Sequence, residues 1–172
     1  KVMGLAQYGT HERYIDEIKK LSTIKYDGSF ELNMDDFTYH YSDTEMFNTK
    51  LSELFGLPNR LPEEELTQEH KDLAAGLQFI YEYLFFRLLN RLYEQTECKN
   101  LCIGGGCAYN GTANGKIKSN TQFQNVWIPP APSDAGSAIG CALGWFHATF
   151  PLEPRKENTT PFLGPDQTAE EI

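Results

Sequence analysis

An apolar run, Leu101, Cys102 and Ile103, leads into three consecutive glycines at 104, 105 and 106, and a polar segment with asparagines at 110 and 114 follows. Glycine reaches backbone conformations that a Cβ forbids and lets a ligand approach the main chain closely. Such a loop, at the carboxyl end of a parallel strand and feeding a helix, can aim N–H groups at an anion. Gly105, Gly106 and Asn110 are therefore candidates to cradle a nucleotide, with Asn110 supplying an amide at the helix start. The same glycines would equally serve close strand–helix packing. The pattern is neither a P-loop nor GxGxxG.

A second constellation is PPAPSDAGSAIGCALG, residues 129–144. Asp134 falls just past a second short apolar run and at the start of a helical pattern. Its carboxylate can cap that helix or point into the cleft that the glycine loop would face. Gly136, Ala138, Gly140 and Ala142 suit tight packing of the helix on a sheet. Cys107 reads as a small buried hydrophobe, because no histidine lies near it in sequence. His147 follows Asp134 by 13 residues, which on a continuous helix leaves it about 140° around and about 20 Å along. GSAIG is not the GxSxG elbow. No pair among His11, His40, His70 and His147 has helical metal-ligand spacing, so the residues themselves point to no complete metal site.

The elements that would position these residues follow from periodicity and caps. Residues 11–21 place Tyr14, Ile15, Ile18 and Leu21 at helical spacing. Residues 29–41 read as a hairpin around an Asn-Met-Asp-Asp turn. Ser42 and Glu45 form a capping-box pattern, which predicts a helix running to Phe55, stopped by Gly56 and Pro58. Thr67 caps a long helix over 68–96, with Leu73, Leu77, Ile80, Leu84, Leu88 and Leu92 on one face and Phe85, Phe86 and Leu89 widening it. So broad a stripe predicts burial on two sides. Short strands at 101–103 and 126–128 then alternate with helices over 110–118 and from Asp134 onward. That order predicts a parallel α/β arrangement.

Length and composition set the frame. The chain has 172 residues, with 40% hydrophobic and 23% charged, as in globular proteins. Fifteen Lys and Arg against 24 Asp and Glu give a net charge of −9. With no basic cluster, tracking along a nucleic-acid backbone is excluded, so no DNA partner is expected. The four cysteines form no CxxC pair and suggest reduced thiols. No apolar run is long enough to span a bilayer, so no membrane partner is expected, and reduced thiols lead to the expectation of a cytoplasmic location. The opening on KVMGLAQYG and the closing FLGPDQTAEEI predict a piece of a longer protein. Residues 1–150 form the domain, and 151–172 are expected to be a linker or tail.

Five stretches occur in order: KVMGLAQYG, LTQEHKDLAAGLQ, LCIGGGCAYNGTANGKI, VWIPPAPSDAGSAIGCALG and FLGPDQTAEEI. Together they resemble successive motifs of the O-carbamoyltransferases of the nodulation-protein and antibiotic-tailoring type. The likeness covers nearly the whole chain, though residues 11–66 carry little of it. It implies the second RNase H-like half of an actin-like (ASKHA) ATPase domain, with helical and hairpin insertions, related to tRNA threonylcarbamoyladenosine synthase. It also implies an upstream half-domain and a following YrdC-like domain. The latter would use ATP and carbamoyl phosphate to make carbamoyl-adenylate, for transfer to a small-molecule hydroxyl acceptor.

Carried onto this sequence, Gly105, Gly106 and Asn110 match the family's GGxxxN nucleotide motif. Lys1 and Gly4 belong to a stretch lining the same cleft. Asp134 matches a ligand of a divalent metal, Fe²⁺ in the family, with Mg²⁺ accompanying ATP. The metal's histidine pair would lie upstream of residue 1. No residue is assigned to the transfer step. Gly104 stands where the family usually has alanine, and Cys107 and Tyr109 where it has aliphatics. Two rival readings are a sugar kinase of the same superfamily, consuming ATP without carbamoyl phosphate, and a catalytically idle interaction module.

Overall fold

The computed structural model describes residues 2–154. Lys1 and residues 155–172, with most of the expected tail and the FLGPDQTAEEI motif, lie outside the described residues. The described chain divides into two compact units: residues 2–101 with 110–125, and residues 102–109 with 126–154. Helices and short strands mix, so the α/β class holds at that level.

The first unit is organised by its longest helix. In chain order it holds α1 (Val2–Ala6), a 3₁₀ turn (Glu12–Tyr14) running into α2 (Ile15–Lys20), and strands β1 (Ser22–Ile24) and β2 (Phe30–Leu32). Helices α3 (Thr49–Phe55) and α4 (Gln68–Thr96) follow. Helix α4 has the limits its cap and period predict. His70, at its third position, closes a capping box, its Nδ1 accepting from the Thr67 N–H at 3.2 Å. Tyr14, Ile18, Ile80 and Leu84 form the core, with Ile24, Phe55, Leu57, Leu73 and Leu77 packed around it. Burying such side chains contributes about 1.5–3 kcal/mol each. Leu88 and Leu92, expected on the buried stripe, are each 40% exposed. The C-terminal half of α4 instead turns Leu89 inward, and its Tyr93 meets Phe123 edge-on at 5.5 Å.

Helix α1 and the turn after it dock on the first turns of α4 through polar contacts. The Thr10 N–H donates to Asp72 Oδ1 at 2.9 Å, and Gln68 Nε2 donates both to Asp72 Oδ1 at 2.9 Å and to the Tyr8 carbonyl at 3.1 Å. Arg13 reaches Asp72 Oδ2 at 3.4 Å and Glu69 at 3.1 Å. Gly9 lies against the α4 backbone: a Cβ there would overlap the Lys71 carbonyl and stand 2.6 Å from Asp72 N. Gly76 admits Ile18, whose Cδ1 lies 2.6 Å from where a Cβ would be. The KVMGLAQYG and LTQEHKDLAAGLQ stretches are thus two halves of one joint.

Two expectations in this unit are corrected. The hairpin lies earlier than 29–41: β1 and β2 pair antiparallel, Ser22 with Leu32, Thr23 with Glu31 and Ile24 with Phe30. Its turn is set by Gly28 at φ +86° and by Asp27, whose Oδ1 accepts from the Ser29 N–H at 3.0 Å. The Asn-Met-Asp-Asp segment is a 3₁₀ turn (Met34–Asp36), with Asn33 accepting from the Asp35 N–H. Ser42 does bond the Glu45 N–H, at 3.1 Å, but no helix begins there. Helix α3 starts at Thr49, capped by Asn48, and ends at Gly56 in the left-handed conformation (φ +63°), as expected of a terminating glycine.

Past α4 come β3 (Asn100–Cys102), a 3₁₀ turn (Gly106–Tyr109), α5 (Gly111–Asn114), α6 (Ile117–Asn120) and β4 (Asn125–Trp127). The single helix expected over 110–118 is therefore two short ones, broken at Gly115 and Lys116. The Asn125 N–H donates to the Lys99 carbonyl, and the Ile103 N–H to the Trp127 carbonyl. The two strands thus advance in the same direction, the expected parallel pair.

The second unit carries the glycine loop, the segment after β4, a 3₁₀ turn (Asp134–Gly136) and α7 (Ser137–Thr149). A Cβ on Gly136 would overlap the Ala131 carbonyl oxygen, so small size is required there. At Gly140 and Gly144 a Cβ would meet open space. The tight packing expected along this helix is therefore met only at its start. Among the described residues no helix is long and apolar enough to cross a membrane.

Candidate nucleotide and metal site

In the first unit a cleft of about 330 Å³ opens between α1, α4 and α5. Gly4 lines it, as do Gln78, Phe79, Glu82, Thr112 and Lys116. Three of the five motif stretches therefore meet at this one surface. His11 stacks on Phe79 at its edge, ring centroids 4.4 Å apart. Gly4 has an ordinary backbone conformation, and a Cβ there would have nothing within 4 Å. Neither backbone geometry nor packing among the described residues requires glycine at this position.

Asn110 starts α5 as expected, its Oδ1 accepting from the Ala113 N–H at 3.1 Å. Its amide is also engaged by Gln78, a contact the sequence reading missed. Asn110 Nδ2 donates to Gln78 Oε1 at 2.9 Å, and Gln78 Nε2 donates back to Asn110 Oδ1 at 3.1 Å. Gln78 Nε2 also donates to Glu82 Oε1 at 2.9 Å, and Lys116 Nζ donates to Glu82 Oε2 at 2.7 Å. Gln78 is 8% exposed, so its own bonds to Asn110 and Glu82 form largely out of water. Gln78 and Glu82 stand four apart on a helix, one above the other. That spacing was visible in the sequence, but nothing in it showed that α5 would cover them.

The second unit holds Gly105, Gly106 and Asp134. Gly105 has φ +93°, a conformation that favours glycine, and its N–H donates to the Pro132 carbonyl at 2.6 Å. The glycine loop is thereby tied to the proline segment before Asp134. Gly104 has no such need: a Cβ there would lie 3.9 Å from Pro132 O, an ordinary contact. An alanine, the usual family residue, would fit. Gly106 opens the following 3₁₀ turn, and the Ala108 N–H bonds back to the Gly105 carbonyl at 3.0 Å.

Asp134 is exposed and opens its own 3₁₀ turn, with Ser133 at the cap position and no side-chain capping bond. Its carboxylate is of the hard oxygen type that Mg²⁺ or Fe²⁺ accepts. Among the described residues no three His, Cys, Asp or Glu side chains gather as a metal site. These residues fit a metal only as the source of one ligand. Cys107 is exposed rather than buried, because the 3₁₀ turn directs Ala108 inward instead. No disulfide joins the four cysteines.

The family described as "Carbamoyltransferase N-terminus" matches residues 1–143. The chain is 45% identical, over its whole length, to an uncharacterized protein of Synechocystis sp., of which it covers 28%. It is 32% identical to nodulation protein NolNO of Sinorhizobium fredii, with 96% of this chain and 23% of that protein covered. It is 31% identical to nodulation protein NolO of Bradyrhizobium diazoefficiens, with 96% and 28% covered. The chain spans about a quarter of the length of these relatives. A match over residues 1–143, with the motifs in order, establishes that the chain belongs to the carbamoyltransferase family, in the region of its N-terminal domain.

Proposed function

We propose that this chain is part of an ATP-dependent O-carbamoyltransferase working in the cytoplasm. It forms one RNase H-like half of an actin-like domain and part of that domain's nucleotide cleft. The observation that carries this reading is the family match across residues 1–143. The meeting of Gly4, Gln78 and Lys116 in one cleft supports it. Carbamoyl phosphate supplies the carbamoyl group, ATP activates it as carbamoyl-adenylate, and a small-molecule hydroxyl accepts it. Net, ATP, carbamoyl phosphate, water and the alcohol become the carbamate ester, AMP, pyrophosphate and phosphate.

In this reading Lys1, Gly4, Gly105, Gly106 and Asn110 bind the nucleotide. Gly105 and Gly106 let main-chain atoms approach phosphate oxygens, and Asn110 offers its remaining amide hydrogen. Asp134 gives one ligand to a divalent metal, Fe²⁺, whose charge offsets that of the phosphates when bound. The other ligands, an upstream half-domain and a YrdC-like domain come from the rest of the polypeptide. The chain alone would not turn over.

The test uses the natural protein that carries this chain. It is incubated with ATP, carbamoyl phosphate and Fe²⁺, and products are followed by phosphorus NMR. AMP and pyrophosphate that appear only with carbamoyl phosphate are expected, and Asp134→Ala should slow their formation by about 100-fold. ADP formed whether or not carbamoyl phosphate is present would overturn the reading in favour of a kinase.

A further inference from the structure

We infer that Gln78 is a positioning residue that fixes the Asn110 side chain for nucleotide binding, an inference that rests on the nucleotide role proposed for Asn110. A carboxamide can face either way unless its partners decide. At Gln78 they do. Glu82 Oε1 can only accept, so the Gln78 group 2.9 Å from it must be the amino group. Gln78 Oε1 then points at Asn110, and the Asn110 group facing it must be Nδ2. The Ala113 N–H, 3.1 Å from Asn110 Oδ1, requires the same orientation from the other side.

Glu82 is itself held by Lys116, with 13% of its side chain exposed. The series Lys116, Glu82, Gln78, Asn110 therefore runs from charge to charge to amide to amide, each link joining a donor to an acceptor. One Asn110 Nδ2 hydrogen is left without a partner among the described residues. Hydrogen-bond donors held before the ligand arrives lose less freedom on binding. Gln78 is the last residue of a motif that reads LTQEHKDLAAGLQ, and its partner lies 32 residues further on. A glutamine made only for helix stability would face solvent, whereas this one is 8% exposed.

The test is a double-mutant cycle on nucleotide binding by the natural protein, read as the Kd of a fluorescent ATP analogue. Asn110→Ala and Gln78→Leu are each expected to weaken binding by about tenfold, and the double variant by no more than either alone, because Gln78 acts through Asn110. Thermal melts identify any variant that fails to fold. Gln78→Glu supplies a second arm. Its carboxylate accepts from Asn110 but cannot donate to Asn110 or Glu82, so binding should weaken at pH 8 and recover toward pH 5 as the new carboxyl takes up a proton. A purely structural role for Gln78 predicts no such recovery.

Additive losses in the cycle, or normal binding by Gln78→Leu when Asn110→Ala binds poorly, would overturn the inference. Normal binding by Asn110→Ala would remove the role of Asn110 and this inference with it. Binding is read without carbamoyl transfer, so coupled losses in a protein that transfers no carbamoyl group would sustain the positioning role while refuting the transferase reading.

Discussion

Gly9→Ala is expected to destabilise the protein by about 3 kcal/mol, whereas Gly4→Ala, five residues away in the same motif, leaves stability unchanged or slightly raised. The difference is geometric. At Gly9 the new Cβ would overlap the Lys71 carbonyl and stand 2.6 Å from Asp72 N. Both atoms belong to the backbone of α4, which cannot give way as a flexible side chain would. The turn must lift off α4, and the bonds from Thr10 to Asp72 and from Gln68 to Tyr8 lengthen with it.

At Gly4 a Cβ would meet nothing within 4 Å, and alanine is the better helix former by about 1 kcal/mol. The cleft is the reason to expect an effect there, because Gly4 lines it. Hydrogen exchange along α4 separates the two variants. Gly9→Ala should speed exchange in its first turns and lower the melting temperature. Gly4→Ala should leave both alone and weaken nucleotide binding. Both glycines border the cleft, but only Gly9 is required by its close approach to the α4 backbone. Equal stability of Gly9→Ala and the parent would show that α1 does not dock on α4 as described.

The parts of the fold that could be read from sequence are those whose determinants are local. Helix α4 was legible end to end because Thr67 and a sustained apolar period mark it. Its capping box was not anticipated, because His70 stands where Glu or Gln is usual. The hairpin lies earlier than the alternation over 29–41 suggests, because its turn is set by Asp27 and by Gly28 at φ +86°, outside that window. Ser42 made the expected local bond without a helix to follow. A side-chain cap satisfies an amide, but only tertiary contact stabilises a helix this short.

The candidate site divides along the same line. The glycine loop and Asn110 announce themselves by residue type. Gln78 and Glu82 do not, since polar residues on a helix ordinarily face solvent. Their burial depends on α5, which returns to α4 from 32 residues away. The family resemblance implies that the KVMGLA stretch, with Lys1 and Gly4, lines the cleft. In the structure residues from Met3 to Gly9 border the cleft, and Tyr8 and Gly9 also form the joint with α4.

That joint also predicts how the protein responds to acid. The Thr10 N–H first, then Gln68, with Arg13 adding to them, hold the Asp72 carboxyl below the usual carboxylate range, against the opposing effect of burial. A group with a lowered folded pKa contributes stability that is fully present above its unfolded pKa, about 3.9, and that is lost as pH falls through the folded value. At pH 7 Asp72→Asn should therefore be less stable than the parent: its one oxygen can stand in for Oδ1, which accepts from Thr10 and Gln68, but its NH2 then faces the Arg13 guanidinium, a donor itself. Below pH 4 the parent should lose this advantage progressively, and the two proteins should converge. The clearest probe is the Thr10 amide, which donates to Asp72 Oδ1 at 2.9 Å. Its protection against exchange should fall on acidification in the parent and change less with pH in Asp72→Asn. If the variant kept the parent's full acid slope, the linkage would belong to other carboxylates, and the polar joint would be held by the close approach at Gly9 rather than by its charge.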